Sequence, residues 1–280
     1  MTDILKFLPF EWCQYGFMNI ALIAVILISP ALALMGTMAV SGRMAFFSDA
    51  LGHSALTGIG IGIVLGLSNQ MPAAVAFGII WALLLILVKQ RGSASADTVI
   101  SVFSSTTMAL GLLIMAGEGG LAKYEGMLVG DILGVTSSDI HILLIVVIGV
   151  CAYWFIMYNR MLLCSVNTDW ARSRGINVRM VECVFAVVMA IVVMLSIQWV
   201  GTLLINSLLI LPAAASRNIS GNSRNYTLFA VVISLVSGVT GLILSFYLNT
   251  SAGAAIVLCS AAIYFITLAI RVVMGGAVSR

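Results

Sequence analysis

The sequence predicts an all-α polytopic membrane protein, a bundle of eight or nine transmembrane helices of which one is short or broken. Three observations lead to this prediction. Of its 280 residues, 62% are hydrophobic and only 8% are charged. The mean hydropathy is +1.17, beyond what a soluble domain of this size can bury. The apolar residues also fall in runs of about 20, the length that crosses a bilayer as a helix.

The apolar runs are separated by short polar connections. Eight runs are long enough to span, namely 17–40, 46–67, 72–88, 98–117, 140–158, 181–199, 226–247 and 253–273. A ninth, 201–215, is shorter and contains Pro212. The first run is longer than a signal-peptide core and has no small-residue cleavage site behind it, so we expect it to be retained. No connection is long enough to fold alone, which predicts one membrane domain over residues 1–280.

The basic residues predict the orientation, because lysine and arginine collect in cytoplasmic loops. Nine crossings with the N-terminus outside place eleven of the thirteen basic residues in the cytoplasm, and only Lys6 and Lys123 remain outside. The prediction requires segment 201–215 to return the chain to the cytoplasm. The C-terminus is then cytoplasmic.

An acidic stretch, 118–139, is the longest external connection in this arrangement. Its charge either attracts a cation or a partner, or is that of an ordinary solvated loop. Its carboxylates are Glu118, Glu125, Asp131 and Asp139. They stay without an assigned role, as does the neighbouring His141.

The second run carries an ionisable pair, Asp49 and His53, four residues apart and on one helix face with Thr57. Ionisable residues within a membrane are costly and mark substrate or ion pathways. A carboxylate and an imidazole suit Zn²⁺, Mn²⁺ or Fe²⁺, and they also suit a proton relay. With a span beginning at Arg43, His53 lies about 15 Å along it, near the midplane. A local cap and a hydrogen-bonded interior histidine are the structural alternative, which the cost of burial disfavours.

A glycine stripe lies on another face of the same predicted helix. Gly58, Gly62 and Gly66 follow at intervals of four residues. Such spacing lets a neighbouring helix approach closely. We therefore expect one face of this helix to pack and the polar face to meet a cavity or another neighbour.

A short cytoplasmic helix is predicted near residues 169–175. Asn167 or Thr168 can cap its start, Asp169 suits the positive end of its dipole, and Gly175 can end it. The segment is either an ordinary interfacial helix or a docking element for a cytoplasmic partner.

The short run 201–215 carries two polar residues on one face, Thr202 and Asn206. Short membrane segments interrupted by proline often line cavities, because their freed backbone groups must be satisfied there. The two residues either line a path or hold neighbouring helices together.

Enzyme motifs are missing from the sequence. No lysine follows a glycine, which excludes a Gly-x-x-x-x-Gly-Lys phosphate loop. The chain also lacks the Gly-x-Ser-x-Gly and His-Glu-x-x-His patterns. Its five cysteines show no Cys-x-x-Cys spacing, so neither a disulfide framework nor a zinc knuckle is indicated. We expect a transport component without enzymatic activity, and any ATP would be hydrolysed by another polypeptide.

Several motifs together resemble the permease subunits of zinc, manganese and iron ABC importers. They are FSDALGHS (47–54), MLVGDIL (127–133), DWA (169–171) with Gly175 and Ile176, VGTLL (200–204) with LPAA (211–214), and SAGA (251–254). They occur in consistent order over nearly the whole chain. The resemblance is specific to the family, not to the metal.

The resemblance implies an importer of a divalent transition metal in the inner membrane of a prokaryote. Its expected partners are a second copy of the chain, a cytoplasmic ATPase and an extracytoplasmic metal-binding protein, and no nucleic acid. It implies that Asp49 and His53 hold the metal in transit. The ATPase-coupling helix would comprise Asp169, Trp170, Ala171, Arg172 and Gly175. No cofactor is expected to be permanently bound; the ion is the cargo, and ATP binds the partner.

Two alternatives remain open at this point. An ABC permease for a siderophore or corrinoid would need a wide, mostly apolar path, and the pair Asp49 and His53 counts against it. An ion-coupled secondary carrier would work without an ATPase and would leave the helix at 169–175 without a purpose.

Overall fold

The structure, a computed structural model, describes residues 11–91, 94–117 and 132–278. The regular secondary structure of this part of the chain is entirely helical, with no strand, which confirms the all-α prediction. Its helices are α1 (Gly16–Ser41), α2 (Phe47–Val64), α3 (Met71–Arg91), α4 (Ala96–Gly117), α5 (Ser137–Val166), α6 (Thr168–Ser173), α7 (Val178–Ile219), α8 (Ser223–Leu248) and α9 (Ala252–Val278).

Seven of the described helices are long and apolar enough to cross a membrane: α1, α3, α4, α5, α7, α8 and the stretch Ala252–Val273 of α9. The helix α2 has 18 residues and is not among them. Asp49, His53 and four glycines lower its hydropathy. The orientation of the termini stays a prediction.

The helix α7 joins two of the predicted segments. Its 42 residues would extend about 63 Å, roughly twice the hydrocarbon thickness of a bilayer. Gly201 interrupts it with φ 75° and ψ 163°, a conformation that glycine adopts at low cost. The break therefore falls at Gly201, and the helix continues through Pro212 to Ile219. Whether residues 201–215 form a separate crossing stays a prediction.

The chain divides into two compact units, each assembled from separated stretches. The first contains α1, the start of α5, the end of α7, α8 and α9. Its helices meet at small residues: a Cβ on Gly36 would overlap the backbone of Leu209, and one on Gly241 would lie 2.5 Å from the backbone of α9. The Ser234 hydroxyl donates to the Ser29 carbonyl at 3.0 Å, linking α8 to α1.

The second unit contains α2, α3, α4, the end of α5, α6 and the start of α7. Both α3 and α4 pack on α2. The end of α3 is tied to α7 through Glu182, whose carboxylate accepts hydrogen bonds from Lys89 at 3.2 Å and Gln90 at 3.0 Å. Because α5 and α7 contribute to both units, the prediction of a single domain over residues 1–280 stays a prediction.

Candidate functional site

The helix α2 positions the ionisable pair. Asp49 lies in its first turn, where the helix dipole favours a carboxylate. The helix ends in a Schellman motif, with hydrogen bonds from Gly66 N to Ile63 O and from Leu67 N to Gly62 O. Packing against α3 and α4 buries most of its other residues and fixes the direction in which the pair points.

Asp49 and His53 contact each other on the partly exposed face of α2, which we call its open face. The distance from His53 Nε2 to Asp49 Oδ2 is 3.5 Å. The His53 side chain is 33% exposed and that of Asp49 is 47% exposed, although α2 is otherwise largely buried. A carboxylate and an imidazole therefore lie side by side on this face and are accessible to an ion or a partner.

A cavity of about 300 Å³ adjoins Asp49. One wall is formed by Phe46 and Asp49, and the other by α4 through Asp97, Ile100, Ser101, Ser104 and Ser105. This wall was not predicted from the sequence. The available signal was the spacing of Asp97, Ser101, Ser104 and Ser105, which repeats at helical intervals and places a polar stripe on an apolar span.

The donors that the structure describes in this region do not form a complete metal site. Among the described residues there is no group of three or more His, Cys, Asp or Glu side chains that could hold a metal ion. Asp49 and His53 supply two donors, one oxygen and one nitrogen. A transient ion would need further ligands from water or from a partner.

Thr57 has a defined contact with α4. Its side chain is 2% exposed, and its hydroxyl donates to the Thr107 carbonyl at 2.5 Å. Thr202 and Asn206 lie one turn apart on α7, just beyond the break at Gly201, and both are half-buried. The role of these three residues as path-lining groups stays a prediction.

The three glycines of the predicted stripe have two different environments. A Cβ on Gly58 would lie 2.6 Å from Ala74 Cα, and one on Gly62 would lie 3.1 Å from Gln70 Cα. Gly66 differs from the prediction, because it lies beyond the end of α2 with φ 67° and has open space where a side chain would be. It ends the helix and does not pack against a neighbour.

The short helix α6 begins with a side-chain cap and ends before a glycine, as the sequence predicts. Asn167 is its N-cap, and the Asn167 Oδ1 accepts hydrogen bonds from the backbone of Asp169 at 2.9 Å and Trp170 at 3.0 Å. Gly175, with φ 77°, follows its end, where Gly175 N donates to Arg172 O and Ile176 N to Ala171 O. These bonds complete a second Schellman motif.

The faces of α6 differ in exposure. Ala171 is fully buried, whereas Trp170 is 47% exposed. Arg174 lies over the Trp170 ring at 4.9 Å, and Arg172 pairs with Asp169 at 3.4 Å. The outer face of α6 therefore carries an aromatic ring among charged side chains.

The acidic residues without an assigned role are only partly described. Asp139 accepts hydrogen bonds from Thr136 N at 2.9 Å and Thr136 Oγ1 at 2.6 Å, so it stabilises the start of α5. His141 is exposed two residues later. Glu118, Glu125 and Asp131 lie outside the described residues.

A comparison with protein families matches residues 14–271 to the ABC 3 transport family. The chain belongs to this family. The resemblance inferred from the motifs is thereby confirmed. With seven membrane-length helices in its described part, the chain is a multi-pass inner-membrane permease of a prokaryote. It is 31% identical over 253 residues to the high-affinity zinc uptake system membrane protein ZnuB of Haemophilus influenzae, covering 89% of this chain and 95% of that protein. It is 30% identical to the manganese transport system membrane protein MntC of Listeria innocua, covering 90% of each.

Solved structures show the same fold. PsaBC from Streptococcus pneumoniae in complex with Fab matches with a TM-score of 0.78 and 26% identity, covering 95% of this chain and 93% of that chain. An inward-facing conformation of a putative metal-chelate type ABC transporter matches with a TM-score of 0.61, covering 92% and 84%. At 16% identity, this second likeness concerns the fold alone.

Proposed function

We propose that the chain is the permease subunit of an ABC importer that carries a divalent transition metal, with Zn²⁺ and Mn²⁺ as the first candidates and Fe²⁺ as the third. The observation that carries the proposal is the contact between Asp49 and His53 on the open face of α2. An oxygen and an imidazole nitrogen suit these ions. The names of the zinc and manganese relatives support the same class of substrate.

The shortage of donors supports a dimeric path. One chain supplies two metal ligands, Asp49 and His53. Two copies facing each other would supply four, which is enough for a tetrahedrally coordinated ion. We propose that a second copy covers the open face of α2 and that the ion passes between the two pairs. Oxygen donors from Asp97, Ser101, Ser104 and Ser105 would then line the approach to Asp49.

Transport against a gradient needs an energy source outside this chain. We propose that a cytoplasmic ATPase docks on α6 and that an extracytoplasmic metal-binding protein delivers the ion. The exposed Trp170 supports α6 as the docking element, because exposed tryptophan residues are common anchors of protein interfaces.

The test is uptake of Zn²⁺, Mn²⁺ and Fe²⁺ into proteoliposomes that contain the chain with its ATPase and are supplied with its binding protein. We expect uptake of at least one ion that depends on ATP hydrolysis. Uptake by the chain alone, without ATP, would instead identify a secondary carrier. Transport of a metal chelate in preference to the free ions would also contradict the proposal.

Replacing Trp170 by alanine is expected to weaken ATPase docking about thirtyfold, since loss of an interface anchor typically costs 2 kcal/mol or more. The helix should persist, because the Asn167 cap and the Gly175 ending remain. The measurement is the concentration of ATPase that half-saturates the purified permease. Phe155→Ala, which removes an exposed aromatic ring from α5, is the control and should bind like wild type. Equal affinities for Trp170→Ala and wild type would exclude Trp170 as an anchor.

A further inference from the structure

We propose that a groove between the end of α5, the turn after α6 and the start of α7 binds the phosphate of an anionic phospholipid. The groove has a volume of about 490 Å³. Arg160 and Arg174 line it, together with Asn177 and the apolar side chains of Met157, Met180 and Val184. We call it the arginine groove. The proposal is independent of the transported ion.

The charge of the arginine groove favours an anion. Two arginine residues line it, and none of the described residues that line it is acidic. Arginine recognises phosphate through paired N–H donors, and basic pockets between transmembrane helices bind anionic headgroups. Arg174 is held in place over the Trp170 ring. Its guanidinium therefore loses less side-chain freedom when a phosphate binds.

The apolar wall distinguishes a lipid from a free phosphate. Met157, Met180 and Val184 lie beside the arginines, and Met180 is 66% exposed. On α5, the preceding Phe155 and Ile156 are 76% and 70% exposed. Because α5 has membrane length and composition, such side chains belong against acyl chains. A bound phospholipid would place its headgroup at the arginines and its acyl chains along this apolar wall.

The arginine groove lies at the end of α5 and the start of α7. Because both helices have membrane length and composition, we expect this end to lie at the level of the lipid headgroups. Arg160 follows the exposed apolar residues of α5, and Arg174 precedes the start of α7. The distribution of basic residues predicts that this level faces the cytoplasm. The site would thus take a lipid from the cytoplasmic leaflet.

The experiment measures lipid retention by native mass spectrometry. The full chain is released from nanodiscs that contain equal amounts of phosphatidylglycerol and phosphatidylcholine. We expect wild type to retain phosphatidylglycerol preferentially. Each arginine contributes about fivefold, so the double variant Arg160→Gln and Arg174→Gln should lose the preference by about 25-fold. The corresponding lysine variants should keep part of it, because they retain the charge without the paired donors.

Arg179→Gln is the matched control, because Arg179 is an exposed arginine in the first turn of α7 that does not line the groove. It should retain phosphatidylglycerol like wild type. An equal loss in Arg179→Gln would mean general surface attraction and would overturn the proposal, as would an unchanged preference in the double variant. If the double variant does not fold, the single variants decide in the same way. Release of the lipid from wild type on binding of the ATPase would assign the groove to the ATPase instead.

Discussion

Replacing His53 by alanine is expected to reduce ATP-dependent metal uptake at least tenfold, with assembly and basal ATP hydrolysis unchanged. The His53 side chain is 33% exposed and its Nε2 lies 3.5 Å from Asp49 Oδ2, so its truncation leaves no enclosed cavity. Loss of residues that merely orient metal ligands costs 10–100-fold, and loss of a ligand should cost no less. The measurement is the initial rate of uptake into proteoliposomes, normalised to incorporated protein.

Variants of residues near His53 measure how much each residue contributes to metal uptake. Asp49→Asn keeps the size of the side chain but removes its charge, and should be as damaging as His53→Ala. Asp97→Asn should reduce uptake by a smaller factor, because Asp97 lines the cavity beside Asp49 on a different helix. His141→Ala is the matched control, since His141 is the other histidine of the sequence and is exposed on α5. If uptake by His53→Ala and Asp49→Asn equals that of wild type, the pair is structural and the proposed path is wrong.

The largest expected effect on stability comes from Gly36→Ala. A methyl group at Gly36 would overlap the carbonyl of Leu209, a backbone atom that cannot rotate away as a side chain could. Overpacking of a tight interior typically costs 1–3 kcal/mol, and this change should lie at the upper end, at about 3 kcal/mol. The measurement is the midpoint of thermal unfolding of the purified chain in detergent, together with the yield of monodisperse protein.

Gly149→Ala is the control for helix propensity. Gly149 lies within α5, and nothing lies within 4 Å of the place that its Cβ would take. Alanine is the better helix former, by about 1 kcal/mol in water. The control should therefore be neutral or stabilising. A midpoint for Gly36→Ala equal to that of wild type would show that α1 and α7 can separate at low cost.

Local chemistry made several features predictable from the sequence. The membrane class follows from composition, and the proximity of Asp49 and His53 follows from the spacing of four residues on a helix. The predicted short helix is confirmed as α6, with Asn167 as its cap and Gly175 after its end. Each of these depends on residues within one or two turns of each other.

Other features depend on residues that are distant in sequence. The hydrogen bond from Thr57 joins residues 50 positions apart, and the wall containing Asp97 reaches Asp49 only because α4 packs on α2. Gly66 was predicted to continue the packing stripe, but the first turn of α3 follows at Met71 and the chain must end α2 before it. The position of a helix end is decided jointly by local signals and by the next helix.

The sequence by itself determined the all-α membrane class, the ionisable pair and the short capped helix, because hydropathy, spacing and capping act over a few residues. The family followed from the resemblance of its motifs. Only the tertiary structure decided that α7 breaks at Gly201 and continues through Pro212, that Asp97 and three serines face Asp49, and that Arg160 and Arg174 share one groove. These arrangements result from packing between helices far apart in the chain, where close contacts at glycines such as Gly58 set which side chains meet.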